Sequence, residues 1–155
     1  MKDPNNENTS KNPVGRFMVA VGAIVQLKGT NKILLIKRNE NEDWQPGEWE
    51  IPYGRIDQFE DLSTGLRREV KEETGLTNLK IGNILTNWHI FRGQKSAHNE
   101  IIGLTFVCET SHEKIKLSFE HCEYQWCEPE EAIKLISTEG IKRDVLAFID
   151  QISKF

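Results

Sequence analysis

Apolar and polar residues change rhythm several times along this chain, and each change predicts an element. Met1 to about Val14, MKDPNNENTSKNPV, mixes Asn, Lys and Glu with two prolines. So little apolar surface cannot offset the entropy of ordering, and the stretch reads as a disordered tail. From Phe17 the run FMVAVGAIVQL is apolar and partly alternating, Lys28-Gly29-Thr30-Asn31 supplies turn chemistry, and KILLIKR follows. That pattern predicts a β-hairpin. A polar loop with Pro46-Gly47 as its turn then leads to a short strand from Trp49 to Ile51. Gly54 to Phe59 reads as a loop, after which Glu60 and Asp61 open a helix with acidic residues at its positive end. Leu62, Leu66 and Val70 recur every four residues along that helix and pack inward, and Gly75 supplies the stop.

Beyond Gly75, LKIGNILTNWHIFRG predicts a long strand broken at Gly82, and KSAHNEIIGLTFVCE a polar loop feeding a second strand. The pair makes a second hairpin. Trp88 and Phe91 are expected in its core, and Arg92 is expected to be exposed. Lys114 to Leu117 and Tyr124 to Cys127 read as short strands, and Pro129-Glu130-Glu131 starts a helix. Ile141, Val145, Leu146, Phe148, Ile149 and Ile152 then fall at helical spacing in a closing amphipathic helix. Strands, a helix, more strands and terminal helices form an α+β order rather than repeated βαβ units.

A chain of 155 residues suits one domain, placed here at residues 15–155 behind the 1–14 tail. Its formal net charge is −4 and its basic clusters are short, so the footprint expected for a nucleic acid polymer is missing. A free nucleotide fits that charge better. No apolar run approaches the roughly 18 residues of a membrane span, so no membrane partner and a cytoplasmic location are expected. Cys108, Cys122 and Cys127 are odd in number and lack paired zinc spacing, which predicts reduced thiols, and His121 beside Cys122 does not complete a zinc site. These features leave the oligomeric state open and are compatible with a homodimer.

The densest chemistry lies in GRIDQFEDLSTGLRREVKEETGL, Gly54 to Leu76. On a helix Glu69 neighbours both Glu72 and Glu73, like-charge pairs that each destabilise by roughly 0.2–0.5 kcal/mol. Such a face is either a solvated acidic surface or a seat for hard divalent cations, which turn carboxylate repulsion into shared coordination. Flanking residues favour the seat. Gly54, Glu60, Arg68-Glu69-Val70, Glu72-Glu73 and Gly75-Leu76 match Gly-x5-Glu-x7-Arg-Glu-aliphatic-x-Glu-Glu-x-Gly-aliphatic at every specified position. Chance would produce that coincidence with a probability on the order of 10^-7 to 10^-6.

The stretch resembles the Nudix box. The resemblance implies a Nudix fold, an α/β/α sandwich around a mixed β-sheet, and hydrolysis of a phosphoanhydride in a nucleoside diphosphate linked to another group. It implies Mg2+, with Mn2+ as a substitute, held by Glu69, Glu72, Glu73 and the carbonyl of Tyr53. Arg68 would orient Glu69, and Glu60 would hold water or assist electrostatically. By its position before Trp126, Glu120 resembles a downstream glutamate that serves as metal ligand or general base in some members, and Glu123 is second to it. Trp44, in a polar loop, is the candidate for stacking on a base, whereas Trp49 is expected in the core. Many members have Gly where this chain has Tyr53 and Phe59. The WQPGEWEIP approach resembles MutT-like members acting on nucleoside triphosphates, oxidised ones included, to give a monophosphate and pyrophosphate. ADP-ribose and dinucleoside polyphosphates remain alternatives, as does a module that senses a nucleotide without cleaving it, and, further off, an isomerase of isoprenoid diphosphates.

Overall fold

The computed structural model describes residues 15–155, so the expected tail at Met1 to Val14 lies outside the described residues. Among them the chain forms β1 (Met18–Leu27), β2 (Ile33–Arg38), β3 (Trp49–Glu50), β4 (Tyr53–Arg55), α1 (Leu62–Thr74), β5 (Lys80–Phe91), β6 (Glu100–Thr110), β7 (His121–Cys127), α2 (Pro129–Leu135) and α3 (Glu139–Ile152). The strands make one seven-stranded mixed sheet in the order β3-β2-β1-β6-β5, with β4 against β1 and β7 against β2. β1 runs parallel to β6 from Met18↔Ile101 to Leu27↔Thr110, and the other pairings are antiparallel.

Alternation along the strands sends side chains to two apolar layers, as a period of two requires. Val21, Ala23 and Val25 of β1 and Leu34 and Ile36 of β2 pack with Leu66 and Val70 of α1. Ile24, Ile33 and Leu35 face the other way, against Ala132 of α2 and Val145 and Phe148 of α3. The result is the α/β/α sandwich around a mixed sheet that the resemblance implied. Trp49 packs half-buried on the second layer, where it was expected.

Several local expectations change. The first hairpin holds at its turn, where Gln26 pairs Ile33, but β1 takes β6 as its long partner and β2 takes β7. The loop expected from Gly54 to Phe59 begins inside strand β4, three residues hydrogen-bonded to Ala20–Gly22. α1 starts at Leu62 rather than Glu60, because Asp61 is its N-cap, accepting from the Thr64 N–H at 3.0 Å and from its hydroxyl at 2.8 Å. Gly82 does not break β5: the register shifts between Ile81 and Thr86 absorb it as bulges within a continuous strand. Lys114 to Leu117 joins no strand. Lys116 and Ser118 instead donate their N–H groups to Thr74 and Glu73 carbonyls at 3.0 and 3.2 Å, satisfying orphan acceptors at the end of α1. Cys108 and Cys127 are buried free thiols and Cys122 is an exposed one, in line with the reduced state expected. Among the described residues no helix is long and apolar enough to cross a membrane.

Phe59 shows why glycine is common at its position. It has φ +68°, in the left-handed region that side chains avoid, while its ring is 98% exposed and contributes no packing. Phe59→Gly is therefore expected to raise unfolding stability by about 0.5–1 kcal/mol, relief of strain exceeding the added flexibility of the unfolded chain. Urea denaturation of the two proteins measures it, and an unchanged or lower midpoint would contradict the strain.

Candidate active site

α1 leans its glutamate face on β4, and the contact is shaped by what Gly54 lacks. A Cβ at Gly54 would overlap the Glu69 carboxyl group. Next to it, the Tyr53 N–H donates to Glu73 Oε2 at 3.1 Å. Arg68 lies behind this face and uses its whole guanidinium. Nε and Nη2 donate to the two Glu60 oxygens at 2.9 Å each, Nη1 to Glu69 Oε1 at 2.8 Å and Glu72 Oε2 at 3.4 Å, and Nη2 also to the Arg55 carbonyl at 2.9 Å. Its partner Glu60 also accepts from the Asp57 N–H at 2.9 Å.

Burial and charge set these carboxyl groups apart. Glu73 is 8% exposed, and burial first, then the nearby Glu50, Glu69 and Glu120, pushes its pKa well above the ordinary carboxylate range. Glu69 is raised mainly by burial, with Arg68 pulling the other way. Glu60 is lowered to about 2, first by its hydrogen bonds with Arg68 and then by the Asp57 N–H.

A cavity of about 710 Å3 opens over this face. Tyr53, Gly54, Glu69, Glu72, Glu73 and Glu120 line one side of it, so the structure brings most of the proposed ligands together. Glu120 approaches from the loop before β7 and lies 3.9 Å from Arg38 Nη1. Glu60 and Arg68 are not among the lining residues; they stand behind the carboxylates. Trp44 lines the cavity wall, its Nε1–H donating to the Tyr53 hydroxyl at 3.2 Å.

One expectation outside the box is corrected. Trp88 and Phe91 are half-buried rather than core residues, and Trp88 lines the cavity. Arg92, expected simply at the surface, also lines it, with its guanidinium 5.5 Å from the Trp44 ring centroid and 3.3 Å from Asp43.

Sequence reasoning missed a buried network under the cavity. Glu50 is fully buried, and its Oε1 is 2.8 Å from His121 Nε2 and 3.3 Å from Arg38 Nη1. His121 Nδ1 is in turn 3.2 Å from Ser118 Oγ. Ligand atoms of Glu50, Glu73 and His121 lie within 4.8 Å of one another and could hold a metal ion. The available signal was a glutamate between Trp49 and Ile51, on a strand otherwise destined for the core. Among the described residues Glu50 Oε2 has no hydrogen-bond partner. An orphaned buried oxygen, a glycine cradle over Glu69 and a cluster of carboxylates on one face of the cavity are the donor chemistry of a hard divalent cation, and the residues fit one.

A NUDIX domain model matches residues 16–148. The chain belongs to the NUDIX family, and the relatives it matches include Nudix hydrolases and a nucleoside triphosphatase. It is 28% identical over 108 residues to the nucleoside triphosphatase NudI of Escherichia coli, a match covering 64% of this chain and 75% of that protein. It is 37% identical over 59 residues to Nudix hydrolase 7 of Arabidopsis thaliana, covering 38% of this chain and only 21% of that relative. Among solved structures, the MutT protein of Methanosarcina mazei Go1 superposes with a TM-score of 0.73 at 27% identity, over 91% of this chain and 98% of that one.

The depressed Glu60 carboxyl gives a pH prediction. Its ion pair with Arg68 stabilises the fold above the ordinary glutamate pKa of 4.5, and that contribution is lost as pH falls through about 2. Carboxyl-carbon NMR titration should place the Glu60 midpoint near 2 in the native chain, and Arg68→Gln should return it toward 4.5. A midpoint that stays put in the variant would show that Arg68 is not the cause.

Proposed function

We propose that this protein hydrolyses a phosphoanhydride bond in a nucleoside diphosphate linked to another group, with a nucleoside triphosphate as preferred substrate, giving a monophosphate and pyrophosphate. The observation that carries this reading is the convergence of Glu69, Glu72, Glu73 and Glu120 on one cavity that Trp44 and Trp88 also line. Carboxylates and indoles around one cavity match the two halves of a nucleotide.

Glu69, Glu72, Glu73, Glu120 and the Tyr53 carbonyl would hold Mg2+, with Mn2+ as a substitute. A bound cation offsets the repulsion among these carboxylates and the charge of the phosphates, and withdraws electron density from phosphorus. The chain's own residues do the rest. Arg68 fixes the rotamer of Glu69 through the 2.8 Å contact and is itself held by Glu60. Glu120, with a side chain 41% exposed on the cavity, would take a proton from water attacking phosphorus as the bridging P–O bond breaks and its electron pair goes to the departing phosphate oxygen. Glu72, 58% exposed, is the other candidate for that proton. Trp44 stacks on the base. In-line displacement asks for positioning and electrostatics more than covalent chemistry, and this arrangement supplies both.

Purified protein with Mg2+ should cleave at least one member of a panel of nucleoside triphosphates, oxidised deoxynucleotides, ADP-ribose and dinucleoside polyphosphates, with products resolved by chromatography. Removing the cation with a chelator should abolish turnover, and added Mg2+ should restore it. Glu73→Gln should lower kcat by more than the roughly 10–100-fold that loss of an outer-sphere partner costs. Full turnover in Glu73→Gln would refute its role, and tight binding of a nucleotide without cleavage would favour a sensing module.

A further inference from the structure

The loop before β7 carries Glu120 to the cavity, and a chain of hydrogen bonds ties that loop to the sheet beneath. The Glu120 N–H donates to Ser118 Oγ at 3.3 Å, Ser118 Oγ is 3.2 Å from His121 Nδ1, and His121 Nε2 is 2.8 Å from Glu50 Oε1. Donors and acceptors run in one direction when the imidazole carries its proton on Nε2: Nδ1 accepts from the Ser118 hydroxyl, and the Nε2–H donates to the Glu50 carboxylate. The far end of the chain is fixed. The side chains of His121 and Glu50 are both fully buried, and Glu50 also accepts from Arg38 Nη1 at 3.3 Å. From the end of β2, the Asn39 N–H donates to the Glu120 carbonyl at 2.8 Å, and the Asn39 side-chain amide donates to the Phe119 carbonyl.

A bulge goes with the inward turn of His121. β7 pairs Glu123 with Lys37 and His121 with Arg38, so Cys122 is the extra residue in the ladder. Cys122 and Glu123 are exposed, whereas His121 at the first position of the strand is buried. Glu50 comes from β3 and His121 from β7, two strands that both pair with β2, and strands hold side chains more narrowly than loops do. The Glu120 carboxylate, by contrast, lies 3.9 Å from Arg38 Nη1, longer than a hydrogen bond. Its place is therefore set through its backbone, and the chain from Glu50 holds that backbone.

We propose that His121 and Glu50 are positioning residues: acting through Ser118, they fix the backbone at Glu120 and so hold its carboxylate at the wall of the cavity. The inference rests on the hydrolase reading only for what Glu120 does there; the anchoring of the loop stands apart from cleavage. His121 and Glu50 are not among the residues that line the cavity, so neither needs to meet the substrate. Their influence on turnover passes through Glu120.

Amide hydrogen exchange reads the loop without any reaction. In His121→Phe the Glu120 and Asn39 amides should exchange roughly tenfold or more faster than in the native protein, while the amides of α1 keep their protection. Kinetics on the best-cleaved nucleotide of the panel reads the consequence: His121→Phe should lower kcat by roughly 10–100-fold and move KM by less than about threefold. His121→Gln, whose side-chain N–H can still reach Glu50, should keep more of kcat than His121→Phe does. In a Glu120→Gln background His121→Phe should lower kcat by about twofold or less, because the carboxylate it positions is already gone. Unchanged exchange at Glu120 and Asn39 in folded His121→Phe would overturn the proposal. So would a kcat loss that persists undiminished in the Glu120→Gln background, which would mark His121 as touching the reaction directly. If His121→Phe fails to fold, Ser118→Ala, which cuts the same chain nearer Glu120, decides by the same exchange and kinetic measurements. Faster exchange with no cleavage of any nucleotide would leave the anchoring standing and remove the hydrolase reading. Full cleavage by His121→Phe with native exchange would do the reverse.

Discussion

The arrangement at the heart of this molecule depends on the Arg68 guanidinium, set among carboxylates that would otherwise repel one another. It bonds both oxygens of Glu60, one of Glu69 and the Arg55 carbonyl, all within 2.9 Å, and thereby ties the loop after β4 to the face of α1. A planar fork with donors in fixed directions can do this, and an ammonium group cannot. Without that charge Glu69, half-buried under Gly54, would have no compensation for its lost hydration, and the loop would have no fixed seat on the helix. The arginine acts from behind, leaving the opposite side of the glutamates open to the cavity.

A second polar layer supports the first from the sheet. Arg38 of β2, Glu50 of β3 and His121 of β7 meet because β2 pairs with both β3 and β7. Side chains placed by paired strands are held more narrowly than side chains on loops, which suits a site whose chemistry is positioning. Glu50 raises the pKa of Glu73 from below, and the open oxygen of Glu50 marks where compensating charge is wanted. The carboxylates of α1 and the indoles of Trp44 and Trp88 share one cavity, with the Arg92 guanidinium over the Trp44 ring. Tyr53 links carboxylate to indole, its phenol bonded to Trp44 and its backbone N–H to Glu73.

The side chain of Tyr53 and the conformation of Phe59 are where this chain departs from the common glycines of the family, and the consequences differ. Tyr53 is put to use as a link between Glu73 and Trp44. Phe59 takes a glycine-like φ with no packing in return. One substitution shapes the site, and the other stores strain in the loop that carries Glu60.

Local interactions were legible in the sequence. The glutamate face of α1, its stop at Gly75, the inward Leu62, Leu66 and Val70 and the closing helix with Val145 and Phe148 follow from periodicities spanning a few residues. The spacing from Gly54 to Leu76 carried the family as well. What the sequence could not determine depends on which distant segments meet. Glu50 and His121 are 71 positions apart and become partners through a shared neighbour strand, β2. Trp88 looked like core because alternation tells that a strand has two faces but not which one borders a cavity. Lys114 to Leu117 has strand-like composition, yet the Lys116 N–H is taken by the Thr74 carbonyl at the end of α1. Asp144 sits on an apolar helical face, and the threonines brought across by β5 and β6 donate to both of its buried carboxylate oxygens. Short-range pattern settles how a segment folds, whereas strand pairing settles what its side chains face.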